Sequence, residues 1–318
     1  MGHTIVGKLW GHLDERYEPS IAQGARESEC ELAIARRKMA LVIALPLALL
    51  TSVPMRAGAA AGCQARALRP SRIRAAEPRE LAAFDTSDFE SWPYVESDFR
   101  RIDESMDYEF YLQPRFVTHI DDGAIAALTE YYRRALPPGG DILDVCSSWI
   151  SHLPPELPYG RVCAVGMNVR ELEANKALTT FEARDLNTDP SLPFADASFD
   201  AVINAVSVDY MTRPLELFRE MHRVLRPGGI AIMSFSNRYF ATKAVRAWLE
   251  ADELGRLAIV ANYYQHSAPW EAIRALDLIP LKAEGMLKMK RTAASALLAS
   301  FASMDPMWAV EARKPLDG

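Results

Sequence analysis

Residues Asp141–Trp149 read DILDVCSSW, an apolar strand that closes on an acid and then turns through small polar residues, where nucleotide-binding strands usually turn through glycines. A second apolar stretch, VCAVGMN (Val162–Asn168), ends in a glycine, and a third ends FEARDLN (Phe181–Asn187). Three strand ends in series, each with a small or polar residue, predict one ligand lying across the carboxyl ends of a parallel sheet.

Working outward, the spacing of Ile125, Leu128, Tyr132 and Leu136 predicts a helix over 121–135, stopped by PPGG. After it the pattern alternates. Strands are predicted at 141–146, 161–166, 179–185, 200–206 and 229–235, with helices over 169–177 and 214–225. Near-continuous apolar strands alternating with helices indicate an α/β sheet buried on both faces. Gly228-Gly229 reads as a helix stop, and the alternation in Met304–Pro315 predicts a final strand. Residues 88–111 are aromatic and acidic and predict short helices and loops covering one end of the domain.

The chain has 318 residues, 49% hydrophobic, with net charge −6 and pI near 5.6. A mildly acidic surface gives no broad attraction to nucleic acid. Cys30, Cys63, Cys146 and Cys163 are scattered without a CxxC pair, so no metal site is expected, and Cys146 and Cys163 read as small apolar core residues.

The amino-terminal part has a different character. From Met39 to Ala76 there is no Asp or Glu, while Arg56, Arg66, Arg69, Arg72 and Arg74 accumulate among alanines. That composition predicts an organelle transit segment over 39–76 within an extension of residues 1–83, with Met39 a possible initiator. The apolar run Leu41–Val53 is too short to span a bilayer as a helix, which needs about 20 residues. Paired arginines at Arg36-Arg37 and AAGC at Ala60–Cys63 offer export signals as alternatives. The expected location is the plastid, with an exported or lumenal site or the cytoplasm as alternatives.

The run LPFADASFDAVINAVSVDYMTRPLELFREMHRVLRPGGIAIMSFSN (Leu192–Asn237) resembles the second half of a class I S-adenosylmethionine-dependent methyltransferase of the type-11 group. FYLQPRFVTHID (Phe110–Asp121), with DVCSSWISHLP, GMN and DLN, is similar to a bacterial and plastid subgroup of that family. The resemblance covers about residues 107–243 and implies a Rossmann-like fold: three layers around a mostly parallel seven-stranded sheet with an antiparallel last strand. The domain would occupy 84–318, with a cap over 84–136.

It also implies S-adenosylmethionine as cofactor and a small-molecule acceptor. Positions matching the family's cofactor contacts are Asp144, Cys146, Ser147 and Ser148 at the first turn, and Gly166, Met167 and Asn168 at the second strand end. Asp185 and Leu186 match the adenine contacts, and Asn204, Ala205 and Val206 the fourth strand end. Asn168 stands where the family has an acid gripping the ribose hydroxyls; an amide makes those bonds without the strength of an ionised acceptor.

The first turn departs further, since glycines there let the backbone approach the cofactor. Ser147 or Ser148 is expected to bond the methionine carboxylate, and Trp149 to pack between helix and sheet or wall the pocket. His152, Asp209 and Tyr210 are candidate bases, each with a capping or solvated alternative. Asn237, Arg238, Tyr239, Arg115 and His119 are candidate acceptor contacts, although Arg115 and His119 could instead pair with Asp121 or Asp122. Tyr263, Tyr264 and Trp270 read as core, or as cover for an acceptor pocket. Two other functions stay open: a noncatalytic module whose cofactor turn has decayed, and a nicotinamide-dependent oxidoreductase, disfavoured because no GxGxxG follows a strand.

Overall fold

The computed structural model describes residues 77–84, 91–279 and 304–316. The transit-like segment 39–76 and the first two cysteines lie outside them.

The strands are β1 (Arg79–Phe84), β2 (Ile142–Ser147), β3 (Val162–Gly166), β4 (Thr180–Ala183), β5 (Phe199–Ala205), β6 (Leu225–Phe235), β7 (Glu271–Asp277) and β8 (Trp308–Arg313). They form one eight-stranded sheet in the order β1-β7-β8-β6-β5-β2-β3-β4. Neighbours from β4 to β6 pair in parallel, while β8 runs antiparallel between β6 and β7. The antiparallel last strand was expected; the count of seven is corrected to eight. Strand β1 pairs antiparallel with β7 at the edge, so the sheet begins at Arg79, ahead of the expected boundary at Phe84. Its sequence, RELAAF, carries no alternation that would announce an edge strand.

The helices are α1 (Asp107–Phe110), α2 (Asp122–Ala135), α3 (Val169–Ala174), α4 (Pro214–Val224), α5 (Arg246–Glu250) and α6 (Glu253–Ser267). Alternate residues of the central strands bury on opposite faces. Leu143, Val145 and Val202 join α4 and α6 residues in one core, and Ile142, Ala201 and Ile203 join Leu128, Tyr131 and Tyr132 of α2 in the other. Burying a large apolar side chain contributes about 1.5–3 kcal/mol, which is why the period-two pattern fixes the sheet between two helical layers. Tyr263, Tyr264 and Trp270 are all core, as expected.

Helix α2 starts where expected because the Asp121 carboxylate accepts from the Ala124 amide at 2.8 Å. Helix α3 is shorter than expected and ends at Ala174, where Asn175 turns its side chain to Ser148 O and Ser151 Oγ. The Gly228-Gly229 pair lies inside β6, not between helix and strand. Gly228 takes φ +76° beside a register shift in the β5–β6 ladder, so the pair makes a bulge after α4 ends.

Chain order reverses between β2 and β5, which lie side by side, with β3 and β4 on one flank and β6 on the other. In an open α/β sheet the crevice at this reversal, outside the carboxyl ends of the strands, is where ligands bind.

Candidate active site at the strand ends

The turn after β2 keeps a glycine-like backbone without glycine. Cys146 has φ +57° and His152 φ +55°, and Val206, just after β5, has φ +46°. Left-handed backbone costs a non-glycine residue about 1–2 kcal/mol, and a β-branched residue such as Val206 is the least suited to it. The strain sits on both sides of the crevice. Gly166 ends β3 so close to the turn that a side chain there would collide with the carbonyl oxygen of Ser147.

Both serine hydroxyls of the turn donate to acids of the protein itself. Ser147 Oγ donates to Asp144 Oδ2 at 2.6 Å, and Ser148 Oγ to Glu171 Oε2 at 2.6 Å. Burial pushes the Asp144 carboxyl up to about 6, opposed by the hydroxyls of Ser147 and Ser151. Burial, then the charges of Asp144, Asp185, Asp209 and Asp107, push the Cys146 thiol up to about 12, so it stays protonated and inert.

A cap made by residues 92–119 crosses the strand ends. Its first part packs Trp92, Tyr94 and Phe99 against Tyr263 of α6. Its middle is fixed by buried charge: Asp107 receives Arg101 Nη1 at 2.7 Å, with Lys243 Nζ 3.3 Å away, and these three side chains are 1–7% exposed. Asn187, after β4, adds Nδ2–H to Asp107 Oδ2 at 2.8 Å. Its last part is held by Asn168, whose Nδ2 donates to Tyr111 O at 2.8 Å and Leu112 O at 3.3 Å while Oδ1 caps α3. Trp149 is not among the residues of either core: half-buried, it donates Nε1–H to Val117 O at 3.0 Å and meets Phe116 edge-on.

Asp185 lines a cavity of about 690 Å³ between the cap and the loop after β4, together with Arg101, Asp107, Asn187, Thr188 and Thr212. Its carboxylate is oriented by the amides of Asn187 and Thr188 and the Thr188 hydroxyl. Leu186 beside it turns into the core. Met167 is half-buried next to Asn168. At the end of β5, Asn204 Nδ2 donates to Val145 O at 2.8 Å, tying the two central strands together, and Ala205 O accepts from Ser207 Oγ.

Among the candidate bases, Asp209 is 2% exposed and its Oδ2 has no hydrogen-bond partner among the described residues. Burial pushes its carboxyl up to about 8. The Tyr210 hydroxyl accepts the Phe240 amide at 2.8 Å, and burial holds its proton tightly. His152 is driven down to about 4 by burial and by His119, and its carbonyl accepts from Thr129 on the α2 side. The expected acceptor contacts are spread out. Arg238 pairs with Asp305 at 2.8 Å, Tyr239 OH accepts from Arg256, and Asn237 is exposed next to Ser236. Arg115 does not reach Asp121 or Asp122; its guanidinium lies 4.3 Å from the centre of Phe110. His119 meets Phe240 edge-on.

Sequence reasoning missed Arg101, Asp107, Glu171, Asn187 and Lys243, which fasten the cap. One signal was available: Asn168 and Glu171 have capping-box spacing, although the Glu171 carboxylate turns away to Ser148 and the Arg115 amide.

The model of a family described as a methyltransferase domain matches residues 149–233, which run from the turn after β2 through β6. That stretch is similar to a methyltransferase domain of the class I S-adenosylmethionine-dependent kind. A malonyl-[acyl-carrier protein] O-methyltransferase of Marinomonas sp. is 31% identical over 87 residues, 27% of this chain and 31% of that protein. An uncharacterized methyltransferase of Mycobacterium marinum is 30% identical over 130 residues, 37% of this chain and 46% of that one. The chain spans less than half the length of these curated relatives. A solved S-adenosylmethionine-dependent methyltransferase from Mesorhizobium loti is 18% identical, covers 59% of this chain and 98% of its own, and has a TM-score of 0.40.

The cofactor that such a domain implies is S-adenosylmethionine. Its residues fit that molecule at both ends. Asp185 offers an oriented carboxylate beside an open cavity for the adenine end. In the cap, the buried Arg115 Nη1 has no hydrogen-bond partner among the described residues, a donor suited to an anion. The ribose position is different, because the Asn168 amide is committed to the cap and to α3. No helix among the described residues is long and apolar enough to cross a membrane.

Proposed function

We propose that the protein transfers a methyl group from S-adenosylmethionine to a small-molecule acceptor held between the cap and the ends of β2 and β5. The observation that carries this is Asp185, oriented by its own loop and lining the open cavity within the stretch that matches the methyltransferase domain. When bound, the cofactor supplies an electrophilic methyl carbon on a sulfonium. The protein's part is alignment, because in-line displacement gains chiefly from proximity. Asp209 stands after β5 with Oδ2 unpaired and takes the acceptor's proton there once ionised, so the rate rises with pH toward about 8. The relatives' acceptor does not carry over, since the likeness covers a minority of each chain.

Incubating the full chain with methyl-labelled S-adenosylmethionine and a small-molecule extract tests the proposal; label entering an extract component is the expected result. The Asn168 commitment favours a second reading, a noncatalytic module on the same fold, and a folded protein that fails to bind S-adenosylhomocysteine at millimolar concentration would establish it. Plastid import of the chain after cleavage within 39–76 is part of the same proposal, and a mature protein beginning before Met39 would exclude it.

A further inference from the structure

Arg115, in the cap, is linked through Glu171 to the first turn, which has no glycine. Its own amide donates to Glu171 Oε1 at 2.6 Å, and the other oxygen of that carboxylate takes the Ser148 proton at 2.6 Å, so Arg115 is tethered to the turn by one intervening side chain. With both Glu171 oxygens thus engaged, the guanidinium lies among rings instead. Its centre is 4.3 Å from the Phe110 ring, 5.4 Å from Phe240 and 5.7 Å from Tyr111. Nη1 is buried without a partner among the described residues. The charge acts on Tyr111, whose phenol also feels Cys146, the residue that opens the turn.

Aromatic faces partly offset the cost of burying a cation but leave its N–H groups unsatisfied, and a planar guanidinium matches a carboxylate with two parallel bonds. The donors usual at this turn are backbone amides; here both serine protons go to acids instead. We propose that Arg115 holds the methionine carboxylate of S-adenosylmethionine, replacing the amides of a glycine turn with one charged side chain from the cap. The proposal rests on the reading of the site as a cofactor site and assigns Arg115 to the cofactor, not to the acceptor.

Calorimetry on the full chain tests it with two ligands: S-adenosylhomocysteine, and 5′-methylthioadenosine, which keeps the adenosine but lacks the amino-acid end. Wild-type protein should bind the first at least about tenfold more tightly, the scale of a charge-assisted pair. Arg115→Met should abolish that preference, weakening S-adenosylhomocysteine while leaving 5′-methylthioadenosine within about twofold, and Arg115→Lys should recover part of it. Unchanged S-adenosylhomocysteine binding in Arg115→Met, or equal weakening of both ligands, would overturn the proposal. If the Met variant does not fold, the wild-type comparison decides alone: equal affinity for the two ligands refutes a carboxylate grip. Wild-type protein that binds neither ligand refutes the cofactor site itself, a failure distinct from that of Arg115.

Discussion

Asp209 combines two properties at a single residue: nearly complete burial and an oxygen without a partner. Desolvation disfavours its charged form, so the folded protein keeps a proton that the unfolded chain loses near the ordinary aspartate value of 3.8. With the folded value raised to about 8, stability falls as pH rises between those two values, by up to about 1.4 kcal/mol per pH unit, and the full penalty is reached above about 8. Asp144, raised to about 6, contributes with the same sign below that pH. Denaturant midpoints from pH 6 to 9 should therefore decline in the wild type relative to Asp209→Asn, which cannot ionise; superimposable pH curves would contradict the assignment. Tyr210 and His152 are poorer bases for reasons of their own burial: Tyr210 holds its proton more tightly still, and His152, at about 4, binds one too weakly.

At the scale of elements, Asn168 joins helix α3 to the cap. Asn168→Asp would keep the cap on α3, because a carboxylate accepts the Arg170 and Glu171 amides and suits a helix amino end. It would lose the bonds to the carbonyls of Tyr111 and Leu112, at a cost of about 1–3 kcal/mol. Hydrogen exchange should quicken across residues 107–117 while Val169–Ala174 keeps its protection; equal acceleration in both would mean that α3 itself had been lost. The same residue marks how far the sequence could be read. Strands β2, β3, β5 and β6 were legible because both faces are buried and their apolar runs are nearly unbroken, and α2 because Asp121 and PPGG bound a clear period. Strand β1 was not, since RELAAF is half exposed and gains its place only by pairing with β7 from the far end of the domain. At the site, the order of strand ends was readable, and so was the absence of glycine. What the serines and Asn168 do was not, because Glu171, Tyr111 and Leu112 approach them by tertiary folding, which no local spacing records.

For the molecule as a whole, the buried Asp107–Arg101–Lys243 cluster connects the cap to the segment after β6, where Asp103 N also bonds Thr242 O at 2.8 Å. Removing one member leaves the others charged and dry, at a cost of about 3–5 kcal/mol, whereas removing an opposed pair costs less than the sum. In urea denaturation, Asp107→Asn and Lys243→Met should each destabilise strongly, and the double variant should show a coupling of at least about 1 kcal/mol; additive losses would place the cluster's contribution elsewhere. The cap is fastened at Asn168 after β3, at Asn187 after β4 and at Lys243 after β6, three loops that the sheet holds at fixed separation. These three fastenings set how freely the cap moves over the open cavity. Loosening one of them would change how fast a ligand exchanges there, so a ligand's affinity and its tempo of exchange become separately adjustable quantities.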